Sequence, residues 1–194
     1  MAARTGMATL ISTVRGMADA GLSDWSIVGS GGTVTYWDDD EVQRVLDRHR
    51  QDVFRAEMDA ILSHTSGGTV TYLEYHTNVS DIESGTAVFK IETAAGSALA
   101  SDAYTFDYAR GIASFTTDQK GSAYFWSGRT YDKNAAAADM WRIKAANVAK
   151  LFNFSTDNHK LDRGSLRKSY LDMAEYYESQ SAPMTVKIAR TDIP

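Results

Sequence analysis

Apolar positions recur at helical spacing near both ends of the chain and alternate at strand spacing in between. In residues 4–20, Met7, Leu10, Ile11, Val14 and Met17 fall on one helical face, and Gly21 supplies a stop. Residues 21–37 read as a glycine-rich connector that ends in a short alternating run. Asp38 then stands where an N-cap belongs, with Glu41 three residues on. Asp39 and Asp40 suit the positive end of a helix dipole. Val42, Val45, Leu46, His49, Val53 and Phe54 continue one stripe, which predicts a helix from Asp39 to about Leu62, roughly 35 Å long at 1.5 Å per residue.

At Ser66-Gly67-Gly68 the period changes. Residues 69–77, 86–92, 103–108, 111–117 and 123–130 are short, rich in Val, Thr, Tyr and Phe, and predict four or five antiparallel strands. Ala109-Arg110 marks a tight hairpin, with Gly111 free to take positive φ. Helical periodicity returns over 132–152, where Ala137, Met140, Trp141, Lys144, Val148, Leu151 and Phe152 lie near one face. A polar loop, STDNHKLDRG, follows Phe154. A last helix over 163–180 carries Leu166, Tyr170, Leu171, Met173, Ala174 and Tyr177. Beyond Pro183, Met184, Val186 and Ile188 alternate with polar residues. That pattern fits strand addition to another protein's sheet edge, a strand closing the chain's own sheet or a frayed terminus. The expected fold class is therefore α+β. It comprises a helical bundle of about four helices from residues 1–65 and 131–182, an inserted antiparallel β module at 66–130, and an extended C-terminal tail at 183–194.

Composition narrows the functional classes. A chain of 194 residues reads by default as one domain. At 43% hydrophobic residues it is too apolar for disorder. The absence of cysteine excludes disulfides, thiolate nucleophiles and cysteine-based zinc sites. No apolar run is long enough to cross a membrane, and no signal-peptide core is seen. The expectation is a soluble protein made inside the cell. A net charge of −5 argues against a dedicated nucleic-acid binder, which would show a basic stripe. The charge is uneven, acidic up to about residue 128 and basic beyond. This fits head-to-tail contact between subunits, a polar partner or simple scatter.

No candidate chemistry emerges from the remaining residues. The run Asp38-Asp39-Asp40-Glu41 could hold a divalent cation, but it leads into an apolar helix and lacks the alternating ligands and glycine turn of a calcium loop, so helix capping explains it. His49, His64, His76 and His159 show no helical metal spacing. His49 sits on an apolar stripe, and His64 is placed at a helix end. There is no G-x-S-x-G elbow, and Gly29, Gly31 and Gly32 lack the sequel of a phosphate loop. Tyr72, Tyr75, Phe106, Tyr108, Phe115, Tyr124, Phe125 and Trp126 could stack bases or sugars, yet strand-rich cores use the same residues. Nothing in the sequence argues for an enzyme, a cofactor or a metal.

Four segments resemble the head-to-tail adaptor (connector) proteins of tailed bacteriophages. They are the N-terminal helix MATLISTVRGMADA, the aromatic-plus-acid entry YWDDDEVQRVLDRHRQDV, the alanine-rich SGRTYDKNAAAADMWRIKAANVAKLFNFSTD, and the helix from Gly164 to Tyr177. Together they cover about half of the chain; the β-rich middle is the part least matched. The resemblance implies a virion structural protein at the neck. Such a protein assembles as a ring, commonly of twelve copies, beneath the portal protein, extends the channel for passing genomic DNA and presents a surface to the next neck, stopper or tail protein. It implies that Met184, Val186, Lys187, Ile188 and Arg190 reach into the portal. Arg44, Asp47, Arg48 and Asp52, on the polar side of the second helix, would serve contacts between subunits. Rival readings are another neck component, such as a stopper or tail-completion protein, or a carbohydrate-directed binding domain using the β aromatics.

Overall fold

In the computed structural model, a 3-10 turn (Thr5–Met7) leads into α1 (Ala8–Met17). The structure describes residues 3–20, 26–29, 32–35, 37–64, 68–148, 154–156, 159–161 and 163–181. α1 stops where Asp19 turns left-handed at φ +45°, and the N–H groups of Ala18 and Ala20 close on the carbonyls of Val14 and Arg15, each at 2.9 Å. The connector holds a hairpin, β1 (Ser26–Gly29) with β2 (Gly32–Thr35). α2 (Asp39–Arg48) begins as its cap predicts: Oδ1 of Asp38 accepts from the Glu41 N–H at 2.8 Å. Strands follow as β3 (Arg50–Glu57), β4 (Asp59–His64), β5 (Val70–His76), β6 (Lys90–Thr93), β7 (Thr105–Asp107), β8 (Ile112–Ser114) and β9 (Tyr124–Tyr131). The chain then returns to helix in α3 (Lys133–Val148), forms a second hairpin from β10 (Phe154–Thr156) and β11 (His159–Leu161), and ends its described part in α4 (Arg163–Gln180).

The α+β class holds, but the second helix does not run to Leu62. It ends at Arg48, and residues 50–64 are strands, so the β region opens at Arg50 rather than at 66. A β-bulge caused the misreading. The register with β9 shifts between Val53 and Ala56, where Arg55 is left-handed at φ +47°, so two inward residues stand three apart as they would on a helix. His64 accordingly belongs to a strand and not to a helix end, and part of the STDNHKLDRG loop is the β10–β11 hairpin. The expected strand at 86–92 begins only at Lys90. Leu151 and Phe152 lie outside the described residues.

Where length suggested one domain, the chain divides into two compact units. One takes Ala8–His49 and the described part of 132–183; the other takes Arg50–Tyr131 with Thr5–Met7. In the first, Leu10, Ile11 and Val14 of α1 and Val42, Val45 and Leu46 of α2 are buried with a broad surface of α3. The alanines of α3, buried at 136, 137, 138 and 145, let neighbouring helices come close, and α3 touches α1, α2 and α4. Lys144 is buried too. Its ammonium donates to the Asp19 carbonyl at the end of α1 and lies 4.7 Å from the Trp141 ring centroid, so the charge is satisfied.

The second unit holds two antiparallel sheets, ordered β3-β9-β6 and β4-β5-β8-β7. The chain passes from one to the other at buried Met58, whose N–H donates to the Tyr124 carbonyl at 2.9 Å. Both sheets feed one core, which includes Val53, Ile91 and Trp126 from the first and Tyr75 and Ala113 from the second. The hairpin expected at Ala109-Arg110 is present between β7 and β8. Oδ1 of Asp107 accepts from the N–H groups of Ala109 and Arg110, and Gly111 takes φ +70°.

Leu46 is fully buried, so Leu46→Ala should destabilise the helical unit by about 2–5 kcal/mol in urea unfolding. A Cβ on Gly111 would fall 2.0 Å from the Val79 carbonyl oxygen, on top of the left-handed backbone. Gly111→Ala should therefore cost about 3 kcal/mol or more by the same measurement.

Candidate interaction surfaces

The residues expected to meet neighbouring subunits do not share one helical face. Arg44, well exposed, pairs with Glu41 one turn away at 2.8 Å. Asp47 is held from within the unit by the Arg4 guanidinium at 2.6 Å, while the Arg4 N–H donates to Oε1 of Gln43 at 2.7 Å. Arg48 is exposed at the last position of α2. Asp52 is not on α2 at all. It lies on β3 in the other unit, 3.1 Å from Arg50 and 3.7 Å from Arg129. Exposed pairs of this kind each stabilise a fold by about 0–1 kcal/mol, which leaves them free to exchange partners. Met184, Val186, Lys187, Ile188 and Arg190 lie outside the described residues.

The acid run at 38–41 is engaged in the helix entry. Asp38 caps, Glu41 pairs with Arg44, and Asp39 receives the Arg15 guanidinium at 2.6 Å. Arg15 also donates to the carbonyls of Ala20 at 3.0 Å and Trp37 at 2.6 Å, fixing α1 to the start of α2. His49 makes a hydrogen bond from its Nε2 side to Asp139 at 2.8 Å. Asp139 in turn holds Arg142, which reaches Glu178 on α4. Among the described residues no group of three or more His, Asp or Glu could hold a metal ion. No described helix is long and apolar enough to cross a membrane.

Most of the β aromatics face one another. Tyr75 meets Phe115 and Tyr124 edge-on, Phe115 stacks on Tyr124 at 5.3 Å, and Phe89 packs on Phe106 at 4.1 Å. Tyr75, Phe89, Phe115, Tyr124 and Trp126 are buried in the core of the unit, with Tyr72, Phe106 and Tyr108 packed against it. Buried Glu83 is part of the same structural economy. It accepts from the Tyr131 hydroxyl at 2.6 Å, and its own N–H donates to the Arg129 carbonyl at 2.8 Å.

The surface features that sequence reasoning missed are apolar. Phe54 is 74% exposed on β3, beside Arg55, whose guanidinium covers the Phe125 ring at 4.9 Å. β5 pairs with β8 only from Glu74 to His76, and past Tyr72, whose N–H and carbonyl are taken by Asp118 and Gln119, the pairs Ser63↔Thr71 and His64↔Val70 continue next to Leu62 as a two-stranded arm. Leu62 and Val70 on that arm are both exposed. Period-2 alternation in residues 59–63 is weak, and reading Phe54 and Leu62 into a helix hid the arm. No family model, curated protein or solved structure matches this chain.

Tyr75 supplies a test of the β core. Its hydroxyl is buried without a hydrogen-bond partner, and burial, reinforced by Tyr124 and Asp118, pushes its pKa up to about 12. An unfolded tyrosine ionises near pH ~10. Between these values the unfolded chain loses a proton that the folded chain keeps, so stability falls as pH rises, by about 1.4 kcal/mol per pH unit. Tyr75→Phe should change stability by no more than about 0.5 kcal/mol at pH 7. It should lose less than the parent between pH ~10 and ~12. Urea midpoints for both proteins across that range check this.

Proposed function

We propose that this protein is a head-to-tail adaptor of a tailed bacteriophage, a ring-forming neck component that docks beneath the portal, extends the DNA channel and links capsid to tail. The order of the helices carries the reading. The four segments that resemble connector proteins contain α1, α2, α3 and most of α4 in that order, the second running on into β3 and the third extending from β9 to β10. In this reading the helices act as one bundle, and residues 50–131 are a β module inserted between α2 and α3. The expectation of capping at YWDDDE is met in detail, with Trp37 buried and Asp38 accepting from Glu41.

Exposed Arg44 and Arg48 would then meet the neighbouring copy around the ring, and the alternating tail at 184–190 would anchor on the portal by strand addition. The arm bearing Leu62 and Val70 gives the β module an apolar contact for the next neck protein. The net charge of −5 suits a channel wall that lets DNA pass without gripping its phosphates.

Negative-stain electron microscopy of the protein mixed with a portal protein from its own source tests the reading. An added ring of density that disappears when residues 183–194 are deleted is the expected result, with the melting temperature of the truncated protein nearly unchanged. A ring formed away from the portal would make it a different neck component, and failure to assemble would remove the reading.

A further inference from the structure

Among the described residues, α4 packs through one side. Leu166, Tyr170, Met173, Ala174 and Tyr177 recur at helical spacing, and the helix lies against α3, with the Tyr170 ring 5.3 Å from that of Trp141. On the opposite, exposed side stand Lys168 and Glu175, two turns apart, with Asp172 between them. These three side chains and that of Arg167 make no ion pair or hydrogen bond within the described chain, although Lys168 and Asp172 are a helical turn apart.

The order of the charges is the second observation. Arg167 and Lys168 lie in the N-terminal half of α4 and Asp172, Glu175 and Glu178 in the C-terminal half, with no acidic residue in the first turn and no basic one in the last. A helix on its own gains from the reverse order, because its dipole favours acids at the N-terminus and bases at the C-terminus. The arrangement in α4 therefore weakens the helix taken alone. It does, however, make the two ends of the exposed side complementary: a second α4 laid antiparallel sets Lys168 against Glu175 twice over, with the two Asp172 carboxylates near the axis as the one like-charge contact.

We propose that the exposed side of α4 is a docking surface for a second copy of this chain, α4 antiparallel to α4, with Lys168 of each copy opposite Glu175 of the other. Tyr176, 56% exposed and in edge contact with Tyr177, flanks the stripe as its aromatic anchor. One helix pair covers less than the ~800 Å² per partner of a standard interface, so the pair is a weak one. The contact is two-fold and closes at two copies, and it does not rest on the adaptor reading.

Sedimentation equilibrium of the full chain, from micromolar to near-millimolar concentration, tests it with Lys168→Glu and Glu175→Lys. Both positions are exposed, and melting curves establish that the variants fold. Each variant alone places like charges opposite each other and should weaken self-association by about tenfold or more. An equimolar mixture of the two restores both contacts and should recover the parent's association, and added salt should weaken it. A parent that stays monomeric throughout, association that the single variants leave intact, or a mixture that fails to recover it would each overturn the proposal.

Discussion

The hydrogen bond from the Asp132 N–H to the His49 carbonyl, at 3.1 Å, closes the longest excursion in the chain. Everything from Arg50 to Tyr131 leaves and returns there, and the first and last residues of that stretch are themselves partners in the β3–β9 ladder, Arg50 with Tyr131. Closing so long a loop costs conformational entropy, but the cost grows only with the logarithm of length. Bringing the two crossing strands together as neighbours lets the ladder offset it at once. His49 contributes twice, through its backbone to Asp132 and through its ring to Asp139, so α2 and α3 are tied at the point where each meets the excursion.

The parts of the fold that were legible in the sequence are those set by local chemistry. The Asp38 cap, the left-handed Gly111 and the Asp107 side chain that organises its turn depend on residues within four positions of one another. So does the alanine-rich stripe of α3; the cap, Gly111 and the stripe as far as Val148 are found as read, while the Asp107 contact is added by the structure. The failure at 50–64 is equally local. Hydrophobic period separates helix from strand only while a strand stays regular. One left-handed residue in β3 moved the next inward side chain from two positions away to three, and a second register shift between Ile61 and Leu62 compounded it. Bulged strands of this kind imitate the spacing of the helix that precedes them.

Long-range chemistry left no trace in sequence spacing. Arg4 with Asp47, Lys144 with the Asp19 carbonyl and Tyr131 with Glu83 join positions far apart in the chain, and only the fold brings them together. The surface features divide in the same way. Exposed charges on α2 were visible as a polar face, yet Asp52 joined them only through the misplaced helix. Leu62 and Val70 were concealed because their exposure depends on where a sheet ends, and Phe54 because it stands at the β3 bulge. The exposed side of α4 was legible as sequence and acquires meaning only once α3 is known to cover the other side.

The Arg15 guanidinium has a consequence for how this chain can diverge. By holding the carbonyls of Ala20 and Trp37 at the same time, it fixes both ends of the segment between them independently of what that segment contains. With its ends pinned, a longer or shorter segment there alters the closure entropy only slightly. The stretch between 20 and 37 could be exchanged wholesale, and an epitope or tag could be grafted there, while the helices on either side keep their places.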